Sequence, residues 1–449
     1  MKNDTIVALA TPAFPSAVCL VRMSGPEAFS IANKIFHHKK NLKDTPFKHF
    51  RIYYGQLGSG NDIVDEVLLH SMKAPHTYTG EDNIEITAHG SIIIQKRILD
   101  LLIKSGARMA EPGEFTKRAF INGKIDLIEA EAVNDLINAS SEYACKTALA
   151  QLQGSLSKKL LSLKEKLLNI VSYIEASLDF PEEDTEDSRD ILKELGECEK
   201  EISSLLSSAR YRHFYWEGIR CSIIGPVNVG KSSLFNALCT EERAIVTEYP
   251  GTTRDFLEAN INLEGIQIKL IDTAGLRESN DEIEKIGIQR SKNILAGSEI
   301  VILVSDATDS KTKFNIPEEI SGKLVIRVMN KVDLLESLEF EYFDPGIFLV
   351  SAKTGMGIED LVKGIHKQIM THFNINEESS ISVNSRQKLE LEAAKECLSQ
   401  SIKLLSENYP LDVICDEVKK SLFRLKSVVG EVTSSDVLDN IFSNFCIGK

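Results

Sequence analysis

The segment Gly225-Pro226-Val227-Asn228-Val229-Gly230-Lys231-Ser232 follows directly on the apolar run Arg220–Ile224 and reads G-x-x-x-x-G-K-S. That spacing confines the chain locally to a strand, a tight glycine-rich loop and a helix whose first N–H groups face an anion. Four further segments follow in order: Gly251-Thr252-Thr253-Arg254-Asp255, Asp272-Thr273-Ala274-Gly275, Asn330-Lys331-Val332-Asp333 and Ser351-Ala352-Lys353. A lone phosphate loop also occurs in ATPases. Five elements in this order, each beside a strand-like run, specify a Ras-like guanine-nucleotide domain with GTPase chemistry.

Each motif has a chemical task. The glycines let successive backbone N–H groups close around phosphates, Lys231 supplies a point charge to the β- and γ-phosphates, and Ser232 ligates Mg²⁺. Thr253 is the expected second protein ligand of Mg²⁺, Asp272 lies behind the ion, and the Gly275 N–H faces the γ-phosphate. Asp333 selects the base, because its carboxylate accepts from guanine N1–H and N2–H together, whereas adenine would leave it unpaired. Asn330 braces the loop and the Ala352 N–H meets guanine O6. The nucleotide is expected to be lined by Asn228, Val229, Gly230, Lys231, Ser232 and Ser233; by Thr247, Glu248, Tyr249, Pro250, Gly251, Thr252 and Thr253; by Asp272, Thr273, Ala274 and Gly275; by Asn330, Lys331 and Asp333; and by Ser351, Ala352 and Lys353. After Asp-x-x-Gly, where Ras-like proteins carry a water-orienting Gln, stands Leu276, which neither donates nor accepts. Hydrolysis must draw its polar group from elsewhere. The cluster Asp281, Glu282 and Glu284 lies downstream; on residues alone, each is equally a solvated helix start.

More than half of the 449 residues lie outside this domain, and a chain of that length requires several cores. The sequence predicts a multidomain α/β and α protein. Residues 1–118 mix short β-like runs (Ile6–Ala10, Val18–Met23, Val67–Met72, Ile84–Ala88) with a helix near Ile92–Lys104, an α+β pattern. Residues 119–216 are helical: Leu156, Leu160, Leu163, Leu167, Ile170 and Ile174 are spaced 4, 3, 4, 3, 4, the seam of a long packed helix stopped by Pro181. The nucleotide domain spans 217–372, with strands at Arg220–Ile224, Phe256–Leu263, Gln267–Ile271, Glu299–Ser305, Leu324–Met329 and Ile347–Val350. Within 373–449, residues 373–383 read as a linker. Two helices then follow, one with a stripe at Leu391, Ala394, Leu398, Ile402 and Leu405, the other at Ile414, Val418, Leu422 and Leu425, with Gly430 as C-cap. These apolar faces are too large to stay wet. Packing the flanking helices together makes the nucleotide domain an insertion in a discontinuous helical domain; independent helical modules are the alternative.

Apolar content of 43% with 26% charged residues is that of a soluble globular chain, and no run of about 18 apolar residues predicts a membrane helix. Eight cysteines without C-x-x-C pairs, and an N-terminus unlike a signal or transit peptide, point to reduced thiols and a cytoplasmic location. A net charge of −14 argues against a grip on nucleic acid by bulk positive charge, leaving a local patch or a basic partner.

The chain resembles the MnmE (TrmE) family of tRNA modification GTPases over essentially its whole length. Outside the common motifs, the match rests on EPGEFTKRAFINGKIDLIEAEAVNDLI (111–137), ASLDFPEED (176–184), DTAGLRE…DEIEKIGI (272–288) and IFSNFCIGK (441–449). Ribosome-assembly GTPases share the nucleotide motifs but lack the first and last of these. The resemblance implies an N-terminal folate-binding α+β domain that dimerises, a discontinuous helical domain and an inserted Ras-like P-loop GTPase domain. It further implies a homodimer that acts with the flavoprotein MnmG (GidA), which carries FAD, on the wobble uridine of certain tRNAs. There it adds an aminomethyl or carboxymethylaminomethyl group to carbon 5 from a reduced folate (5-formyl- or methylene-tetrahydrofolate). By the same resemblance K⁺ binds beside the phosphates through Asn228, Thr247, Tyr249 and Thr252 and favours G-domain dimerisation; Glu284 orients the water, and Lys231 serves catalysis. Arg22, Glu81, Lys124 and Lys449 match folate positions. Cys446 either approaches the one-carbon group or is a structural thiol. The chain departs from the family pattern at Ala13-Phe14-Pro15-Ser16-Ala17, at His89-Gly90-Ser91 and at Pro226-Val227.

Overall fold

The structure, a computed structural model, describes residues 4–38, 47–180, 190–216, 218–240, 257–272, 295–309, 314, 320–335, 346–373 and 381–449. Two compact units divide the chain: one comprises Met1–Asn134, Gln151–Cys198 and Ala393–Lys449, the other Asp135–Ala150 and Glu199–Glu392.

The first unit opens with β1 (Ile6–Leu9), β2 (Ser16–Ser24), α1 (Ala28–Ile35), β3 (Phe36–His38), β4 (Arg51–Ser59), β5 (Asp62–Met72), β6 (Asn83–Gly90), α2 (Ile92–Lys104), β7 (Arg108–Met109) and α3 (Glu114–Ile121). The strands form one seven-stranded sheet in the order β3-β4-β5-β6-β2-β1-β7. Strand alternation decides what faces the core. On β2, Cys19, Val21 and Met23 are fully buried with Ile31, Ile35, Ile98 and Leu102 of α1 and α2. Leu20, Arg22 and Ser24 therefore line the opposite face, with Glu85 of β6 directly across from Arg22. Sequence patterning finds β1, β2, β5, β6 and α2 but passes over α1, β3, β4, β7 and α3.

Beyond these come α4 (Leu127–Ile137), α5 (Glu142–Leu152), α6 (Ser155–Asp179) and α7 (Ile191–Trp216). All six residues of the predicted seam on α6 are buried. The helix ends at Asp179, as the position of Pro181 predicts, although Pro181 itself lies outside the described residues.

The nucleotide motifs occupy the second unit, built from β8 (Ile219–Ile224), α8 (Lys231–Leu238), β9 (Leu257–Leu263), β10 (Ile266–Asp272), β11 (Ile300–Asp306), β12 (Leu324–Asn330), β13 (Ile347–Leu349) and α9 (Ile358–His372). Its sheet runs β13-β12-β11-β8-β10-β9, parallel except where β9 meets β10. Parallel strands covered on both faces read as unbroken apolar runs, and the first six residues of β11 are all buried. The carboxyl ends of β8, β10, β11 and β12 stand side by side, the position at which open α/β sheets bind ligands.

The chain closes with α10 (Ser385–Ser406), α11 (Leu411–Val429) and α12 (Ser435–Ser443). In the first unit α11 lies along α6, with Lys419 bonded to Glu175 at 2.7 Å. Gly430 ends α11 at φ 94°, where a Cβ would stand 2.7 Å from the Leu127 side chain, so only glycine caps this helix. Of the predicted linker 373–383, residues 374–380 lie outside the described residues and 381–383 belong to no helix or strand. Ile381, Ser382 and Val383 are buried, and Asn384 and Gln387 exchange backbone-to-side-chain bonds at 2.8 and 3.0 Å, a capping box that starts α10. On α10 Leu404 is buried where the stripe predicts Leu405.

Candidate functional site

The phosphate loop leaves the end of β8 and turns into α8. Gly230 opens that helix at φ 90°, and a Cβ there would stand 2.3 Å from the Asn330 amide, so the close approach of two motifs requires glycine. Asn330 is buried at the end of β12; its Nδ2 donates to the Val229 carbonyl at 2.8 Å, and its Oδ1 accepts the Ala352 N–H at 3.0 Å. One amide thus ties the phosphate loop to the loop carrying Ser351, Ala352 and Lys353. The Ala352 N–H, expected to meet guanine O6, is here given to Asn330. Lys231 Nζ donates to the carbonyls of Gly225 and Pro226 at 3.0 and 2.8 Å, inside the turn where phosphates would lie. Ser232 and Ser233 are exposed at the start of α8, where the helix dipole favours an anion. Asn228 is exposed, with φ 64°.

The turn that carries Asp333 is equally constrained. Lys331 adopts φ 70° and bonds Asp306 Oδ2 through Nζ at 2.6 Å, while Val332 is buried and Asp333 is exposed on the turn Val332–Leu334. Burial raises the Asp306 pKa, but the Lys331 ammonium and the Thr308 donors more than offset it and hold the carboxyl below its usual range. Sequence reasoning missed Asp306. Its only signal is its place as the last residue of an apolar strand, level with Asn330 in register. Buried Ser351 accepts from the Thr354 N–H at 3.2 Å, which shapes the third loop.

In the other unit, Arg22 donates to Glu85 at 2.8 Å and to the Gly448 carbonyl at 3.3 Å, its guanidinium flanked by the Tyr78 and Phe115 rings at 5.8 and 5.7 Å. Lys449 is half-buried; desolvation, then the nearby Arg22 charge, hold its ammonium below the usual lysine range. Glu81 accepts from Ser24, two residues along β2 from Arg22, at 2.8 Å. Lys124 runs its methylenes beside Gly80 and donates to the Pro75 carbonyl at 3.0 Å. Arg22 and Lys449 thus meet beside Glu85, whereas the Glu81 carboxylate is taken by Ser24 and Arg118 and Lys124 lies along Gly80. Cys446 is exposed, and its carbonyl accepts the N–H groups of Gly113 and Lys449 at 3.4 and 3.3 Å; Phe442 and Phe445 anchor this tail against Leu127 and Ala130.

Comparison with known proteins agrees across the chain. Residues 127–446 match the model of the MnmE helical domain, and 5–124 that of the GTP-binding protein TrmE N-terminus. The tRNA modification GTPase MnmE of Alkaliphilus oremlandii is 41% identical over 458 residues, covering 100% of this chain and 99% of the relative. That of Aquifex aeolicus is 42% identical over 453 residues with 100% of both covered, and that of Clostridioides difficile 39% over 456 residues, with 100% and 99% covered. The chain belongs to the MnmE family of tRNA modification GTPases. As an MnmE-family enzyme it is a GTPase, and nucleotide with Mg²⁺ belongs to that chemistry. No helix among the described residues is long and apolar enough to cross a membrane.

Of the MnmE motifs read from sequence, Thr247, Glu248, Tyr249, Pro250, Gly251, Thr252, Thr253, Thr273, Ala274, Gly275, Leu276 and Glu284 lie outside the described residues. Asp272 is the last residue of β10, level with Ile223 of β8. Among the expected K⁺ ligands the structure therefore places Asn228, and among the Mg²⁺ ligands Ser232.

Proposed function

We propose that this chain hydrolyses GTP in a K⁺-dependent, dimer-coupled manner and, with the flavoprotein MnmG, modifies carbon 5 of the wobble uridine of certain tRNAs with an aminomethyl or carboxymethylaminomethyl group. The observation that carries the reading is full-length similarity to MnmE relatives, supported by the meeting of Arg22 and Lys449 beside Glu85 on the N-terminal sheet. The donor set fits a reduced folate. Arg22, Lys124 and Lys449 offer cations to a glutamyl tail, and the partly open Glu81 offers an acceptor to the pterin amino edge. When bound, the folate supplies the one-carbon unit; the chain's own task here is to hold and orient it.

In the nucleotide unit Lys231 neutralises phosphate charge, Ser232 and Thr253 hold Mg²⁺, and Asp333 reads guanine. Asn228, with Thr247, Tyr249 and Thr252, supplies oxygens to K⁺ in the place an arginine finger would fill, and Glu284 orients the attacking water that Leu276 does not. The N-terminal unit forms a homodimer, MnmG brings FAD, and the complex acts in the cytoplasm. The boundaries 1–118, 119–216, 217–372 and 373–449 remain the proposed division of labour.

Two measurements test this. Nucleoside analysis of tRNA from a deletion strain is expected to lack the modified wobble uridine; unchanged modification sinks the reading. GTP turnover in KCl is expected to exceed that in NaCl by about tenfold or more, an effect within that of one charge-stabilising group. Equal rates refute the cation assignment and with it the role of Asn228.

A further inference from the structure

We propose that Asp306 is a positioning residue for guanine recognition, holding the Lys331 ammonium away from the Asp333 carboxylate so that this carboxylate stays available to the base. The inference rests on the reading of Asp333 as the guanine acceptor. Of the four residues Asn330-Lys331-Val332-Asp333, three are anchored. The Asn330 side chain bonds the Val229 carbonyl and the Ala352 N–H. Val332 is buried, and its N–H donates to the Val350 carbonyl at 3.3 Å. Lys331 is anchored through its side chain, whose Nζ donates to Asp306 Oδ2 at 2.6 Å. Asp333 is exposed, and its side chain makes no hydrogen bond or ion pair among the described residues.

The Asp306 carboxylate has little freedom of its own. Its Oδ1 accepts the Thr308 N–H at 3.0 Å and the Thr308 hydroxyl at 2.7 Å, which leaves Oδ2 to Lys331. Asp306 pairs with Asn330 in register, and the Ala307 N–H donates to the Asn330 carbonyl at 2.9 Å, so acid and lysine stand on strand ends locked together. Both side chains are partly shielded, and such a pair is screened less than one on an open surface. Lys331 also holds a left-handed backbone at φ 70°, uncommon for a side chain of this size, so its anchor steadies the turn as well.

Lys331 and Asp333 lie two residues apart on that turn, which is closed by the bonds from the Leu334 N–H to the Lys331 carbonyl at 3.0 Å and from the Leu335 N–H to the Val332 carbonyl at 3.2 Å. A lysine carries three donors on a flexible four-carbon stem. Released from Asp306, its ammonium finds the Asp333 carboxylate on its own turn and competes with guanine for the same oxygens. Guanine then binds only to the fraction of molecules in which Asp333 is free. Asp306 removes the competitor by giving it a second carboxylate at the end of β11.

The test measures equilibrium binding of GTP to full-length protein. Asp306→Asn is expected to weaken it about tenfold, and Asp306→Glu, which keeps the charge, to recover most of the loss. In a Lys331→Met background Asp306→Asn should change GTP binding by less than about twofold, because no ammonium is left to release. In an Asp333→Asn background, read with xanthosine triphosphate, it should again cost less than about twofold, since an amide holds the lysine far more weakly than a carboxylate. A merely structural role for Asp306 predicts the same loss in all three backgrounds. That result, or undiminished GTP binding in Asp306→Asn alone, overturns the inference. If circular dichroism shows Asp306→Asn unfolded, Thr308→Val, which removes one of the bonds to Oδ1, decides by the same comparison with an expected loss of about threefold. If Lys331→Met abolishes GTP binding, the xanthosine triphosphate arm decides. Asp333→Asn that binds GTP as tightly as wild type overturns the guanine reading itself, a distinct result.

Discussion

Asp333→Asn is expected to lower GTP affinity by on the order of 10³-fold and to create affinity for xanthosine triphosphate. The turn holding Asp333 has little freedom, since Val332 is buried beneath it and Lys331 is tied to Asp306 at 2.6 Å. The turn therefore presents the Asp333 side chain in a fixed attitude. A carboxylate accepts from both guanine N1–H and N2–H; an amide must turn its own N–H toward one of them, leaving two donors opposed and desolvated. Xanthine carries an oxygen where guanine has the amino group, so the amide regains a partner. Competition of GTP and xanthosine triphosphate against a labelled nucleotide reads both changes. Unaltered GTP binding would remove Asp333 from the base site.

Glu284→Ala is expected to reduce single-turnover GTP hydrolysis by about 10³-fold while GTP affinity stays within about threefold. Leu276 cannot hold a water, so the residue that does should act in the transition state alone. Loss in the rate without loss in binding is the signature of such a group, whereas a structural acid would weaken both. A variant that hydrolyses GTP at the wild-type rate sinks the assignment.

The second unit was readable because its chemistry and its folding use the same residues. A covered parallel sheet demands apolar runs such as Ile300–Asp306, and the runs of β8, β10, β12 and β13 each lead into a motif, so there pattern and function mark the same boundaries. The first unit was harder. Strand β4, RIYYGQLGS, exposes Ile52 and Tyr54 and buries Gly55, which removes the alternation a half-buried strand should show. Helix α3 buries Glu114 and Arg118 where periodicity seeks leucines, so hydrophobic spacing passes over it. Glu81 is bonded by Ser24 and Arg118, which are 57 residues before it and 37 after it, and no local rule links them. Arg22, Glu81, Lys124 and Lys449 were named by resemblance alone; that Arg22 and Lys449, 427 positions apart, meet beside Glu85 is a property of the fold.

The first unit is written in three pieces, and its last piece, Ala393–Lys449, carries α11 and the tail bonded to Arg22. During synthesis, α6 leaves the ribosome more than 200 residues ahead of the helix that covers it. The intervening unit draws its whole sheet from residues 219–349 and can form while that apolar seam waits. Closure of the first unit is thus the slow, late event, governed by long-range pairing. A ribosome halted near residue 392 would hold a chain with the nucleotide motifs in place and the Leu156–Ile174 face still seeking cover, the state in which chaperone capture or aggregation is most favoured.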